Sequence, residues 1–244
     1  MFALACLDSM GPDIVRVATD GDRWAVCIVH PGRTLVPAGD PGLVGRLGFP
    51  TRRWRMMIGD VAACIPLLDA SLLPDGVLVH HQRFMLLEDE RVPGESELPD
   101  PGIRPADARD LDGLVELAMQ LHLDDEFGPV SNAIRRGYRA RMQGSIDSGL
   151  LRVVGPIGAP VAKLERAVAS ARRGVQLAGI VVTPPARSRG LGRAFVAAAV
   201  REARSQAPGL PISLHVRAAN TPAIHAYLAA GFVDVEEWRL VVRP

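Results

Sequence analysis

The segment Gly179 to Ala194 reads GIVVTPPARSRGLGRA. An apolar run with the composition of a buried strand passes through a proline-containing turn and feeds a helical pattern. The spacing Arg187-x-x-Gly190-x-Gly192 leaves bare backbone where that helix begins. Glycine there removes side-chain bulk, so a phosphate can come close to the main-chain N–H groups. The first turn of a helix has unpaired donors and the positive end of the dipole, both of which favour an anion. Arg187, Arg189 and Arg193 add formal positive charge around it. Two commoner phosphate loops do not fit: there is no GxxxxGK[ST], and Gly190-x-Gly192 lacks the third glycine of the dinucleotide fingerprint. Taken alone, the segment also fits a tight turn with surface arginines.

A second pattern follows the apolar run ISLHV. It is Asn220-x-x-Ala223-x-x-x-Tyr227-x-x-x-Gly231-Phe232. Residues four apart share a helix face, so Ala223 and Tyr227 stand together. A tyrosine hydroxyl so placed can donate a proton to a leaving group; a core tyrosine with a satisfied hydroxyl fits the same spacing.

The elements that must carry these residues are legible from hydrophobic periodicity and turn signals. A short strand near Arg104 is followed by a helix over Ala106–Leu121, with Asp107 to Asp110 as its cap. Then come an acidic loop, Asp124-Asp125-Glu126, and a second helix over Asn132–Asp147. Strands are expected at Leu150–Val154, Pro160–Val168 and Gln176–Val182. A helix from Gly190 to Ser205, a strand at Ile212–Val216, a helix at Ala223–Ala230 and a strand at Val233–Val242 complete the order β-α-α-β-β-β-α-β-α-β. Upstream, strands are expected at Asp22–His30, Thr34–Pro37, Arg53–Ile58 and Gly76–Leu87. Short helices are expected at Pro41–Leu47 and from Asp60 to Ala70. The run VPGESELPDPGIR, Val92 to Arg104, is the natural connector. It divides the chain into an N-terminal α/β domain, 1–99, and a second domain, 102–244.

Charge divides near the same place. The formal net charge is +1, far from the basic balance of a dedicated nucleic-acid binder. Residues 1–102 nevertheless carry a net charge of −5 and residues 103–244 a net charge of +6. Lys163 is the sole lysine; the other basic residues are arginine. Cys6, Cys27 and Cys64 lack ligand spacing and read as reduced thiols of a cytoplasmic protein. His80 and His81, as neighbours on a strand, point to opposite faces and make no metal site. No apolar stretch is long enough to span a membrane, and Met1–Met10 has no basic segment of a secretory signal.

Together the two patterns resemble the GCN5-related N-acetyltransferase (GNAT) superfamily. VVTPPARSRGLGRAF is similar to its V-x-P-x-x-R-x-x-G-x-G-r-a segment, and NTPAIHAYLAAGF to its N-x-x-A-x-x-x-Y-x-x-x-G-F segment. IRPADARDLDGLVELA is similar to its first strand and helix. The resemblance runs from Gly102 onward, with the elements in the order this fold requires. It implies a mixed α/β fold whose splayed mixed sheet, flanked by helices, holds acetyl-CoA as co-substrate without a metal. Ile180, Val181 and Val182 would line the pantetheine arm, and a strand N–H near Val182 would hold the oxyanion. Arg187, Ser188, Arg189, Gly190, Leu191, Gly192 and Arg193 would wrap the pyrophosphate. Asn220 would contact the arm, and Tyr227 would protonate the departing thiolate. The N-terminal domain, without either pattern, reads as a substrate-shaping or packing unit, or as a degenerate copy of the same fold.

The resemblance implies transfer to a primary amine on a small molecule or a protein, by a monomer or homodimer, with no nucleic-acid or membrane partner. The amine must lose a proton before it attacks. Many members of the superfamily place a glutamate on the strand corresponding to Gln176–Val182; here that strand holds no carboxylate. Glu165 on the preceding strand and Glu126 in the acidic loop are the candidate bases, and His215 is weighed as a structural residue. The missing carboxylate also keeps open a non-catalytic acyl-CoA-binding or sensing module.

Overall fold

A computed structural model describes residues 8, 10–48, 54–70 and 76–243. Cys6, Arg53 and most of the opening Met1–Met10 segment lie outside the described residues. The chain sorts into two units. One takes the chain up to Phe84 together with Arg217–Ala219 and Val235 onward; the other takes Met85–Val216 and Asn220–Asp234.

The first unit begins with an antiparallel meander, β1 (Val15–Asp20), β2 (Arg23–His30) and β3 (Thr34–Gly39). The β2–β3 turn closes with the Arg33 N–H donating to the His30 carbonyl at 2.8 Å. A one-turn helix, α1 (Pro41–Val44), is capped by the Asp40 carboxylate. It lies in the crossover to β4 (Met56–Asp60), which runs parallel to β3. Asp60 caps α2 (Val61–Ala70), accepting the Ala63 N–H at 2.8 Å. The fifth strand of this unit is the second half of β11 (Phe232–Val242), antiparallel to β4 with Trp238 opposite Asp60 and Val242 opposite Met56. Cys27, Leu35, Leu43, Met57, Cys64 and Val241 form its core. Burial pushes the Cys27 and Cys64 thiols up to about 12, which keeps them protonated and poor nucleophiles. Strand β1 is not evident in the sequence, because VRVATD is largely exposed and does not alternate.

Strand β5 (Leu78–Leu87) buries His80 and exposes His81, as neighbours on a strand must. No cluster of metal-ligating side chains occurs among the described residues, and no described helix is long and apolar enough to cross a membrane.

The second unit orders its strands β10-β9-β8-β7-β6. These are β6 (Arg104–Pro105), β7 (Leu151–Val154), β8 (Ala162–Ser170), β9 (Gly174–Val182) and β10 (Ile212–Arg217). Pairing is antiparallel up to β9, and β10 joins it in parallel. Side chains alternate across a strand, so this sheet has two differently dressed faces. On one, α3 (Leu111–Asp124) and α4 (Asn132–Asp147) bring Leu114, Val115, Ala118 and Met142 against Leu151 and Val153. The other core gathers Leu164, Leu177 and Leu214 with Phe195, Val196 and Val200 of α5 (Leu191–Gln206), and Tyr227 of α6 (Thr221–Ala229).

Helix α3 is preceded by a 3-10 turn with a reciprocal capping box between Asp107 and Asp110. The Asp110 carboxylate is fully buried and well supplied with donors. Arg104 reaches it at 2.7 and 3.0 Å, and the Asp107 and Gly158 N–H groups each reach it at 2.8 Å. Burial alone would raise its pKa; these donors outweigh it and hold the carboxyl below its ordinary value.

The connector expected at Val92–Arg104 lies wholly inside the second unit. Arg201 of α5 donates to the carbonyls of Pro93 and Leu98 at 3.2 and 2.9 Å, tying the run to that unit. The chain instead passes between units at Phe84–Met85 and again inside β11 at Asp234–Val235.

Candidate active site

The β9–β10 pair supplies the first part of the site. Their register covers Val175–Leu177 against Ile212–Leu214 and ends there. Two residues further along β9 the backbone changes. Lys163 pairs with Val181 and Glu165 with Ala178, so Gly179 and Ile180 together oppose Leu164 alone. This is a β-bulge, and Gly179 occupies it with φ +57°, a left-handed conformation that glycine adopts without penalty. A bulge bends its strand, and here it sits where β9 and β10 stop pairing. Beyond it, Val181 is buried, while Ile180 and Val182 are half-buried beside the α5 core.

The second part is the loop from β9 into α5. Ser188 and Gly190 both hold positive φ, 59° and 78°, and Gly190 is the N-cap, with no side chain occupying the helix end. A Cβ built on Gly190 would meet only the Arg193 guanidinium, at 3.5 Å; one on Gly192 would meet only Val182, at 3.7 Å. No side chain hydrogen-bonds to the first turn of this 16-residue helix, and the N–H groups of Leu191, Gly192 and Arg193 occupy first-turn positions that lack intrahelical acceptors. Arg189 and Arg193 are exposed beside it. The cradle suits a diphosphate. Arg187 does something more local: its guanidinium donates to the Val182 carbonyl at 2.8 Å and pairs with Asp124 at 2.6 Å. Its N–H donates to the Pro184 carbonyl. Arg187 thus braces the loop between the end of β9 and the end of α3.

The third part is α6. The Asn220 side chain accepts the Ala223 N–H at 3.2 Å and caps the helix, which explains its place before Thr221. Tyr227 is buried against Phe232, ring edge toward face, with centroids 6.3 Å apart. Burial, with a further contribution from the negative charge of Asp125, raises the phenol above its ordinary value and keeps it protonated.

Residues 152–232 match the model of the acetyltransferase (GNAT) family. This segment belongs to the GNAT family. It contains the bulged strand, the cradle and Tyr227. Solved structures extend the likeness in fold to the whole chain. An acetyltransferase of the GNAT family from Colwellia psychrerythraea is 13% identical, with a TM-score of 0.60 over 98% of this chain and 90% of that one. A putative GNAT-family acetyltransferase from Novosphingobium aromaticivorans is 18% identical, with a TM-score of 0.55 over 99% and 96%. A GCN5-related N-acetyltransferase from Kribbella flavida is 14% identical, with a TM-score of 0.57 over 100% and 95%. No curated protein matches the sequence.

On the α3/α4 face of the second unit lies a polar cluster. Glu165 is buried with both oxygens engaged: Arg141 donates to Oε2 at 2.6 Å and the Ser145 hydroxyl to Oε1 at 2.8 Å. Lys163, on the same face of β8, donates to the Gly179 carbonyl at 2.7 Å. Gln176, the one long polar side chain of β9, is half-buried. Glu126 is exposed, with φ +57°, in the loop after α3. Asp125, which closes α3, is half-buried, and its charge acts on Lys163, Tyr138 and Tyr227 alike. Nothing in the spacing of the acidic triplet separates it from its neighbours.

That loop is held by His122. Its Nε2 lies 3.1 Å from the Gly128 carbonyl, which only accepts, so Nε2 carries a proton, and its Nδ1 shares a hydrogen bond with the Tyr138 hydroxyl at 3.1 Å. His215 of β10 is mostly buried, and desolvation lowers it to about 4, so it is neutral near pH 7.

Proposed function

We propose that this protein is an acetyl-CoA-dependent N-acetyltransferase that moves the acetyl group to a primary amine of a small molecule or protein by direct attack. One observation carries the proposal: a bulged strand that parts from its parallel neighbour leads, within the same unit, into an open anion cradle. That is an arrangement for a long ligand with an acyl group at one end and phosphates at the other. Ile180 to Val182 line the arm, and Ser188 to Arg193 cradle the diphosphate. Arg187 braces that loop, and Asn220 contacts the arm while it caps α6. The amine nitrogen attacks the thioester carbonyl carbon, the carbon–sulfur bond breaks, and the oxygen's developing charge is met by a β9 N–H. Tyr227 donates to the leaving sulfur. Its proton is held more firmly than a free phenol's, so it acts first as a hydrogen-bond donor, and transfer completes as the sulfur's own basicity rises in the same dry surroundings.

The proton leaving the amine goes to a carboxylate of the acidic loop, Asp125 or Glu126. These residues also favour a cationic acceptor. Glu165 is the least available of the three, because both of its oxygens are already engaged by Arg141 and Ser145. That engagement, with the lack of a carboxylate on β9, is also what favours the second reading, a module that binds acyl-CoA without turning it over.

Acetyl-CoA is incubated with the protein and a panel of polyamines, amino acids, aminoglycosides and peptides, and free thiol is followed. Amine-dependent thiol release supports the enzyme; coenzyme binding without release by any amine leaves the binding module. With the best amine in hand, Asp125→Asn should lower kcat/KM more than Glu165→Gln across pH 6–8. The reverse order would return the base to β8.

A further inference from the structure

The only lysine of the chain is buried inside the second unit, 2% exposed. An ammonium in such a place is costly unless it is paired and hydrogen-bonded. Lys163 spends its hydrogen bond on one atom of consequence, the carbonyl oxygen of Gly179 in the β9 bulge, at 2.7 Å. A methyl group on Gly179 would stand 3.0 Å from Nζ, so the glycine also makes room for the ammonium. The peptide that follows Gly179 is trans, as all described peptide bonds are. Its carbonyl and the N–H of Ile180 therefore point in opposite directions. Holding one sets the other.

We propose that Lys163 is a positioning residue for acyl transfer: by holding the Gly179 carbonyl it fixes the direction of the Ile180 N–H at the point where β9 leaves β10. The inference rests on the acetyltransferase reading above. It places a cation on β8 in charge of the strand backbone.

The groups around Lys163 come from five elements, and three of them supply charge. Glu165 shares its strand, Arg141 projects from α4, and Asp125 closes α3; β7 offers the apolar Val153, and β9 the Gly179 carbonyl and Val181. Burial pulls the ammonium down to about 8 against the opposing charges of Glu165 and Asp125. Below that pH Lys163 is charged and its grip on the carbonyl is strong. Above it the amine is neutral and the hydrogen bond weakens, so the geometry of the Ile180 N–H loosens and kcat falls.

The test uses Lys163→Met, which keeps the stem and removes the charge. Expected are a kcat about ten- to a hundred-fold lower, in line with a disturbed backbone donor, coenzyme A affinity within about two- to threefold of wild type, and loss of the alkaline limb near pH 8. A folded Lys163→Met protein with wild-type kcat and an unchanged pH profile would overturn the proposal. Should that variant not fold, the wild-type chain labelled with [15N]isoleucine decides: the Ile180 amide resonance, assigned through Ile180→Val, moves with a midpoint near pH 8. An Ile180 amide that stays fixed from pH 7 to 9 would overturn it equally. The amide titration needs no substrate. A wild-type chain without turnover counts against the acetyltransferase reading and leaves the titration to judge the link between Lys163 and Ile180.

Discussion

Tyr227 and Gly190 are the residues at which chemistry is most exposed to test. Tyr227 is buried, and its hydroxyl accounts for little of its packing, which rests on Phe232 and the α5 core. Tyr227→Phe should therefore keep coenzyme affinity and lower kcat by about ten- to a thousand-fold, the loss expected of a missing general acid. Steady-state kinetics beside a direct coenzyme titration check this, and an unchanged kcat would remove the role. At Gly190 there is room for a side chain, so the cost of a substitution comes from φ 78° and from charge rather than from collision. Gly190→Asp places a carboxylate where a diphosphate is expected, and calorimetry should find no coenzyme binding. Retained affinity would move the phosphate site elsewhere.

At the scale of the element, the helix ends matter most. Helix α3 is entered through Asp110 and left through Asp125, so the acidic loop takes its place from how firmly this helix is anchored. Asp110 is the buried end of an ion pair with Arg104 and accepts two backbone N–H groups besides. Asp110→Asn should destabilise the protein by about 3 kcal/mol, the scale of breaking a buried pair, read as a lower urea midpoint at pH 7. The sign with pH follows from a carboxyl held below its ordinary value. The stabilisation is fully present above the unfolded value of roughly 3.9 and is lost as pH falls through the lower folded value. The wild-type chain should lose part of its stability below pH 4 that the variant never had. Parallel urea titrations at pH 3 and 7 would show otherwise if the two proteins lost equal amounts.

For the whole molecule, the telling fact is that the last strand serves the first unit. Trp238–Val242 pairs along β4, and Val241 is fully buried beside Met57. A fragment ending at residue 99, where the proline-rich run invites a cut, lacks this strand and leaves the β4 edge open. It should unfold without cooperativity or aggregate. Restoring the strand by fusing residues 235–243 behind residue 84 through a flexible linker should recover a sigmoidal urea transition. A cooperative transition from the 1–99 fragment alone would mean that β11 is dispensable.

Local sequence determined much of this protein. Helical periodicity with Asp, Asn and Ser caps is a short-range signal, and α3, α4, α5 and α6 stand close to where it puts them. Gly190-x-Gly192 ahead of an amphipathic run marks the cradle, because backbone freedom and helix polarity are properties of a few adjacent residues. Tertiary structure decided what depends on residues far apart. The extra residue that makes Gly179 a bulge exists only relative to β8. The engagement of Glu165 needs Arg141 and Ser145, 24 and 20 positions earlier on a helix. In sequence Lys163 stands out only as the sole lysine; its meaning lies in the Gly179 carbonyl sixteen residues on. The unit boundary at Phe84–Met85, and the return of Val235 onward to the first unit, follow from strand pairing between the two ends of the chain. Pairing partners and buried charges are fixed by long-range geometry, which composition and spacing do not encode.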